Sequence, residues 1–213
     1  MCKKVLAAAL MSVGMLSVAN VQAQAADPGP FMIRARAVYL GWENGQSGGL
    51  PIGGETKVTA QNLWIPEIDL SYFFTKNIAA ELVLTYPQDI NINVGGTKEG
   101  TISALPPSLV LQYHFTDLGA FKPYVGVGVN YTIFGNRQNF PGYTPAALQV
   151  EPSSFGVVGQ IGADYMFDRN WGLNIDLKYA AINTDVNTVS GGNNLGKLTL
   201  NPWMPAVGVT YKF

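Results

Sequence analysis

Few side chains here could do acid–base, nucleophilic or metal chemistry: the 213 residues hold one histidine, His114, and one cysteine, Cys2. A lone imidazole is the obvious general base. Its same-face neighbours in sequence are Gln112 and Ser108, its expected cross-strand partners are Glu81 or Lys122, and no serine at a strained strand-to-helix elbow is read beside it. His114 is therefore expected to be a hydrogen-bonded structural residue, and the chain not an enzyme, with no catalytic residue. One histidine and scattered carboxylates leave no metal site, and Lys178 and the arginines stand ready to neutralise Asp164 and Asp176. The pairs Gly48-Gly49, Gly53-Gly54 and Gly191-Gly192 lack the strand-to-helix setting of a phosphate loop, so no cofactor is expected. A net charge of -1 gives no basic footprint for nucleic acid.

What remains is a set of charges that recur at every second position, and these need elements to hold them. Period-two alternation predicts eight strands: Phe31 to Gly41, Leu63 to Phe73, Asn77 to Pro87, Pro106 to Phe115, Lys122 to Phe134, Ser154 to Phe167, Trp171 to Ile182 and Thr199 to Phe213. Each is long enough for the ~9–11 residues a tilted strand needs to cross a bilayer. Hydrophobic residues make up 47 % and charged residues 13 %, a low charge against the ~25 % of soluble domains. No apolar run of helix-spanning length follows the N-terminal stretch, and lipid offers no partner to open backbone groups. The fold expected is all-β, an eight-stranded antiparallel transmembrane β-barrel over residues 26–213.

The two ends of the chain fit that reading. Met1-Cys2-Lys3-Lys4, an apolar stretch from Val5 to Val21 and Ala23-Gln24-Ala25 read as a signal peptide over residues 1–25. Removing it leaves no cysteine, and so no disulfide. The last strand ends on Phe213, the terminal aromatic by which the barrel-assembly machinery is expected to read an outer-membrane barrel. Connections alternate between tight (Thr75-Lys76, Thr116 to Gly119, Asp168 to Asn170) and long (42–62, 88–105, 135–153, 183–198). Both termini fall at the turn end, so turns and termini are expected in the periplasm and the loops outside a Gram-negative cell.

One face of each strand is apolar and meets lipid: Phe121, Val125, Val127, Val129, Tyr131 and Ile133 on one strand, Trp171, Leu173, Ile175, Leu177 and Tyr179 on another. The inward face divides along the axis. Toward the turn end it carries Arg34, Arg36, Lys122, Lys178 and Lys212 against Glu67, Asp69, Glu81, Asp164 and Asp176. An eight-stranded barrel is only wide enough for side chains to fill it, so these should pair into a plug rather than line an ion pore. Toward the loop end the inward set is Val38, Leu40, Leu63, Ile65, Val110, Phe134, Val158, Ile182, Leu200 and Met204. A concave apolar site of this kind suits a small ligand; the alternative is that these side chains merely fill space.

Several segments resemble the OmpW family of outer-membrane proteins. The firmest are Leu105-Pro106-Pro107-Ser108, Gln112-Tyr113-His114-Phe115 and the run from Phe121-Lys122-Pro123-Tyr124 to Thr132. Others are Ile65-Pro66-Glu67, Gly162-Ala163-Asp164-Tyr165, Asn174 to Tyr179 and Tyr211-Lys212-Phe213. The resemblance implies a narrow apolar channel that passes small hydrophobic molecules inward and releases them sideways into the membrane. The prolines suggest where: Pro66, Pro87, Pro106 and Pro107 each lack a backbone donor, and a ladder weakened beside them would make a lateral gate. The competing reading is a non-transporting scaffold or surface receptor, with loop residues such as Leu50, Pro51, Ile52, Phe140, Tyr143 and Leu148 as binding elements. A transporter needs an apolar path through the lumen, whereas a scaffold can be filled throughout.

Overall fold

A computed structural model describes residues 29–47, 58–94, 97–136, 148–188 and 194–213. The expected signal peptide, the three glycine pairs, and Leu50, Pro51, Ile52, Phe140 and Tyr143 lie outside the described residues, as does the side chain of Leu148. In chain order the strands are β1 (Phe31–Leu40), β2 (Gly45–Ser47), β3 (Val58–Ala60), β4 (Leu63–Phe73), β5 (Ile78–Leu84), β6 (Gln88–Val94), β7 (Thr97–Leu105) and β8 (Ser108–His114). They continue as β9 (Phe121–Gly135), β10 (Leu148–Val150), β11 (Ser153–Met166), β12 (Trp171–Ala180), β13 (Asn183–Thr188), β14 (Asn194–Thr199) and β15 (Trp203–Lys212).

The order β1-β4-β5-β8-β9-β11-β12-β15 closes back on β1, and every pairing is antiparallel. These are the eight long strands expected, and closure removes the sheet edges that a bilayer would not tolerate. Alternation sets the faces: along β4 every second residue from Ile65 to Phe73 is buried and the residues between are exposed. On β9 the same period leaves Val127 65 % exposed while Tyr124, turned inward, is 1 % exposed. The apolar residues of the outer face are therefore the lipid contact, and aromatic pairs such as Tyr39–Trp64, Tyr179–Trp203 and Tyr211–Phe213 stand near strand ends, where interfacial belts belong.

The long connections depart from the expectation of plain loops. β6 and β7 form a hairpin that pairs with β3 on one side and with the end of β9 on the other. The strands β10-β13-β14-β2 form a separate four-stranded sheet. These strands carry the interior past the barrel rim: Ile90, Ile92, Ile102, Val186 and Leu198 join Val38, Leu40, Ile65, Val110, Phe134, Val158, Ile182, Leu200 and Met204 in one apolar cluster, with Trp42 and Leu63 packed against it. Burying apolar side chains from both barrel and loops is what holds the loop end in shape.

Candidate functional site: a charged plug beneath an apolar, windowed chamber

The turn-end half of the lumen is filled by a hydrogen-bonded charge network. Arg34 grips Asp164 with both ends of its fork, Nε to Oδ1 at 3.1 Å and Nη2 to Oδ2 at 2.7 Å, and its Nη1 reaches Glu81 Oε2 at 2.5 Å and Ser71 Oγ at 3.2 Å. Two residues on along β1, Arg36 points the same way and donates to Asn174 Oδ1 at 2.8 Å and Glu67 Oε1 at 3.3 Å. Lys178 spans Glu67 Oε1 at 2.6 Å and Asp176 Oδ1 at 3.1 Å. Neutral side chains link the charges: Gln160 Nε2 donates to Glu81 and Asp176, each at 2.8 Å, and the Tyr124 hydroxyl donates to Asp176 Oδ2 at 2.7 Å. Bidentate and multiply bonded pairs of this kind can offset the desolvation of buried charge.

Asp69 is the exception. Its Oδ2 lies 2.9 Å from Arg36 Nη1, within ion-pair distance, yet neither carboxylate oxygen accepts an aligned hydrogen bond among the described residues. The contact is thus Coulombic attraction without the directional part of a hydrogen bond, and Asp69 is the least well held member of the network.

Of the charges read from the sequence as a plug, Arg34, Arg36, Glu67, Asp69, Glu81, Asp164, Asp176 and Lys178 come together and are buried. Lys122 and Lys212 stand at the turn-end mouth. The Lys122 ammonium donates to the carbonyl of Thr116, and that of Lys212 lies 4.4 Å from the Phe73 ring centre. His114 is buried between the rings of Phe73 and Tyr124, and its Nε2 meets Gln112 Oε1 at 2.9 Å. Its partner is thus Gln112, in place of the Glu81 or Lys122 expected. Tyr124, Gln160, Ser71 and Thr210 are network members that the sequence reading missed, although all fall on the inward phase of their strands. Room for Tyr124 comes from Gly162, where a Cβ would lie 2.4 Å from its hydroxyl oxygen.

Above the plug the described residues of the interior are apolar. The cavity left among Leu40, Trp42, Ile65, Val83, Ala180 and Met204 is about 20 Å³, and its floor is made by Glu67 and Lys178 from the top of the plug. The apolar residues expected to line a channel are all in this region, buried except for the partly buried Leu63.

Beside that cavity the β4–β5 ladder is interrupted. The β4–β5 ladder ends at Ile68↔Leu84, so Leu63 to Glu67 have no strand partner on that side, while on the other side they stay paired with β1. Higher up the wall closes again, where Gln61 N donates to Asn91 O at 3.0 Å. The span between these limits, where β4 has no ladder partner on this side, is the candidate window. Pro66 sits at its edge, and its carbonyl accepts from Thr85 Oγ1 at 3.2 Å, which shows that the backbone of Pro66 faces the window. Paired strand residues offer N–H and C=O to the same edge, so the donor that proline lacks is missing on this side. Pro87 follows β5 at the opposite rim. Pro106 lines the cavity inside, and the carbonyls of Pro106 and Pro107 are bonded by Asn130 Nδ2, both at 3.2 Å. The proline positions thus divide, with Pro66 and Pro87 at the window and Pro106 and Pro107 stitched to β9.

With this geometry in place, comparison with known proteins is direct. The outer-membrane protein y4mB of Sinorhizobium fredii, itself uncharacterized, is 41 % identical, over 89 % of this chain and 82 % of its own. Outer membrane protein W of Escherichia coli is 33 % identical over 99 % of this chain and the whole of its own. Among solved structures, the outer membrane protein OprG from Pseudomonas aeruginosa superposes with a TM-score of 0.74 at 28 % identity, covering 88 % of this chain and 97 % of that one. Residues 27–213 match the OmpW family throughout, and the chain is a member of that family, a β-barrel of the Gram-negative outer membrane.

Proposed function

We propose that this barrel passes small apolar molecules from the outer face through the apolar chamber and releases them sideways into the bilayer. The observation that carries the reading is the unpaired span of β4 between Ile68↔Leu84 and Gln61–Asn91, beside the start of the apolar interior. The plug supports a lateral route, because Arg34, Arg36 and Lys178 with their partners fill the lumen below and leave an apolar solute no path along the axis. Val38, Leu40, Leu63, Ile65, Val110, Phe134, Val158, Ile182, Leu200 and Met204 line the path, and Pro66 and Pro87 keep the exit unzipped. Turns and termini face the periplasm in this reading. Residues 1–25 are the cleaved signal, and Phe213 is what the assembly machinery reads.

A non-transporting scaffold or receptor is favoured by one observation, the small size, about 20 Å³, of the cavity among the described residues at the base of the chamber. A scaffold, however, needs no window. Uptake of a small apolar dye into liposomes holding the refolded protein, measured beside single-channel current in a planar bilayer, separates the readings. The channel predicts dye uptake with little ion current. No uptake would favour the scaffold, and a large current would show the plug to be open.

A further inference from the structure

At the opposite end of the plug from the apolar chamber, the turn-end mouth forms a basin of about 690 Å³. Its floor is largely apolar and aromatic: Met32, Phe73 and Met166, with the buried ring of His114 stacked 4.8 Å from that of Phe73. Four cations line the same basin, each from a different part of the rim. Lys76 belongs to the β4–β5 turn, Lys122 to the start of β9, Arg169 to the β11–β12 turn and Lys212 to the end of β15. The two carboxylates that line it are already engaged. Asp164 is gripped by both ends of the Arg34 fork, and Asp168 Oδ1 accepts from the backbone N–H groups of Asn170 and Trp171. The cations are less fully matched. The Lys122 ammonium donates to a neutral group, the Thr116 carbonyl, and Lys76 meets Asp117 only at 3.4 Å with both side chains largely in solvent. A concave site lined by one sign of charge over low-dielectric walls concentrates its potential on whatever enters.

We propose that this basin is a binding site for small organic anions with an aromatic or short aliphatic body. The body lies on Met32, Phe73 and Met166, and the anionic group is drawn to the cations of the rim. The volume is that of a small-molecule site, and such sites combine an apolar lining with a few polar groups that fix orientation. Each half of the arrangement excludes a different competitor. An inorganic anion forgoes the apolar floor, and exposed ion pairs alone are worth little. A neutral analogue of the same shape forgoes the rim. The plug separates this basin from the chamber, so the site does not depend on whether the barrel conducts apolar solutes.

Methionine methyl groups report on both sides of the plug: Met32 and Met166 line the basin, and Met204 lines the cavity above Glu67 and Lys178. The protein isolated from outer membranes, labelled with carbon-13 at the methionine methyls and held in phosphatidylcholine nanodiscs, is titrated with naphthalene-2-sulfonate, naphthalene-2-sulfonamide and sulfate. The expected result is a saturable shift of the Met32 and Met166 resonances with the sulfonate while Met204 stays still. The sulfonamide and sulfate should each bind about tenfold more weakly or worse, having lost the rim or the floor. Arg169→Gln and Lys122→Gln should each weaken sulfonate binding about threefold and together about tenfold, the scale of partly exposed ion pairs. Added sodium chloride should weaken it in the same direction. Arg169 is exposed in a turn, so its replacement reads binding without disturbing the fold. The proposal is overturned by no saturable shift, by an equal shift at Met204, by equal affinity for the sulfonamide or sulfate, or by unchanged affinity in the double variant.

Discussion

Replacing Arg34 by alanine tests whether the plug is a stabilising structure or a set of charges that happen to be close. The guanidinium is 0 % exposed and donates to Asp164 at 3.1 and 2.7 Å, to Glu81 at 2.5 Å and to Ser71 at 3.2 Å, with the Tyr124 ring centre 4.7 Å from Cζ. Removing one partner of a buried ion pair costs about 3–5 kcal/mol, because the other charge stays buried without it. Here the loss is cushioned. Asp164 keeps Thr210 at 2.5 Å and Asn174 at 2.9 Å, and Glu81 keeps Gln160 at 2.8 Å and Arg36 at 3.4 Å. The lower end of the range, about 3 kcal/mol, is therefore expected. In urea unfolding from lipid vesicles this is a midpoint roughly 1–3 M lower, for a slope of about 1–3 kcal/mol per M. Lys76→Ala is the matched control. Its ion pair with Asp117, at 3.4 Å, is 71 % and 82 % exposed and should be worth under about 1 kcal/mol. If Arg34→Ala costs no more than Lys76→Ala, the network does not hold the barrel together and the reasoning from burial fails.

Two further changes probe other parts of the account. Gly162→Ala puts a methyl group 2.4 Å from the Tyr124 hydroxyl oxygen and 2.7 Å from the Ile175 carbonyl oxygen, so it should destabilise by about 1–3 kcal/mol in the same assay and alter the tyrosine near-ultraviolet circular dichroism. At the turn after β11, Asp168 accepts from the backbone N–H groups of Trp171 and Asn170, at 2.7 and 2.8 Å, and these bonds hold its pKa below the ordinary 3.8. A depressed carboxylate stabilises the fold above its unfolded pKa and loses that contribution as the pH falls through its folded pKa. Asp168→Ala should therefore be less stable than the parent at neutral pH, and their urea midpoints should converge as the pH falls through the depressed pKa of Asp168.

Most of the barrel was legible because its strands obey one rule. Alternation along Leu63 to Phe73 puts Ile65, Glu67, Asp69 and Ser71 on one side, and the pairing confirms those bounds at both ends. The predicted end strand from Thr199 proved too long, since Thr199 closes β14 and β15 begins at Trp203. The strands inside the long connections escaped notice although Asp89-Ile90-Asn91-Ile92-Asn93-Val94 alternates as plainly as any barrel strand. Its setting between long, polar connections argued for a loop, and only the pairing partners β3 and β7 show what it packs against.

The site was half legible, for a related reason. Strand phase tells which side chains point inward but not how far they sit along the axis or how far they reach. Lys122 and Lys212 share the inward phase with Arg34 and Arg36, yet they lie within a residue or so of a strand end and turn to the mouth, toward Thr116 and Phe73. Tyr124 shares the phase too, and an aromatic in a barrel reads as belt until a neighbouring Gly162 makes room for it inside. The prolines signalled a weakened ladder, but only the register shows that Pro66 turns its missing donor toward β5.

The window is the claim on which the functional reading rests, and a reversible staple across it is the most direct test. Two residues beyond the last β4–β5 pair, Ile68↔Leu84, the same register would set Pro66 against Tyr86. The double variant Pro66→Cys with Tyr86→Cys, whose only other cysteine is Cys2 in the expected signal peptide, is refolded into liposomes and assayed for apolar dye uptake before and after reduction. The account predicts little uptake with the disulfide closed and, on reduction, recovery to the rate of the Pro66→Cys single variant. Uptake at the parent rate with the disulfide shown to be closed would contradict it.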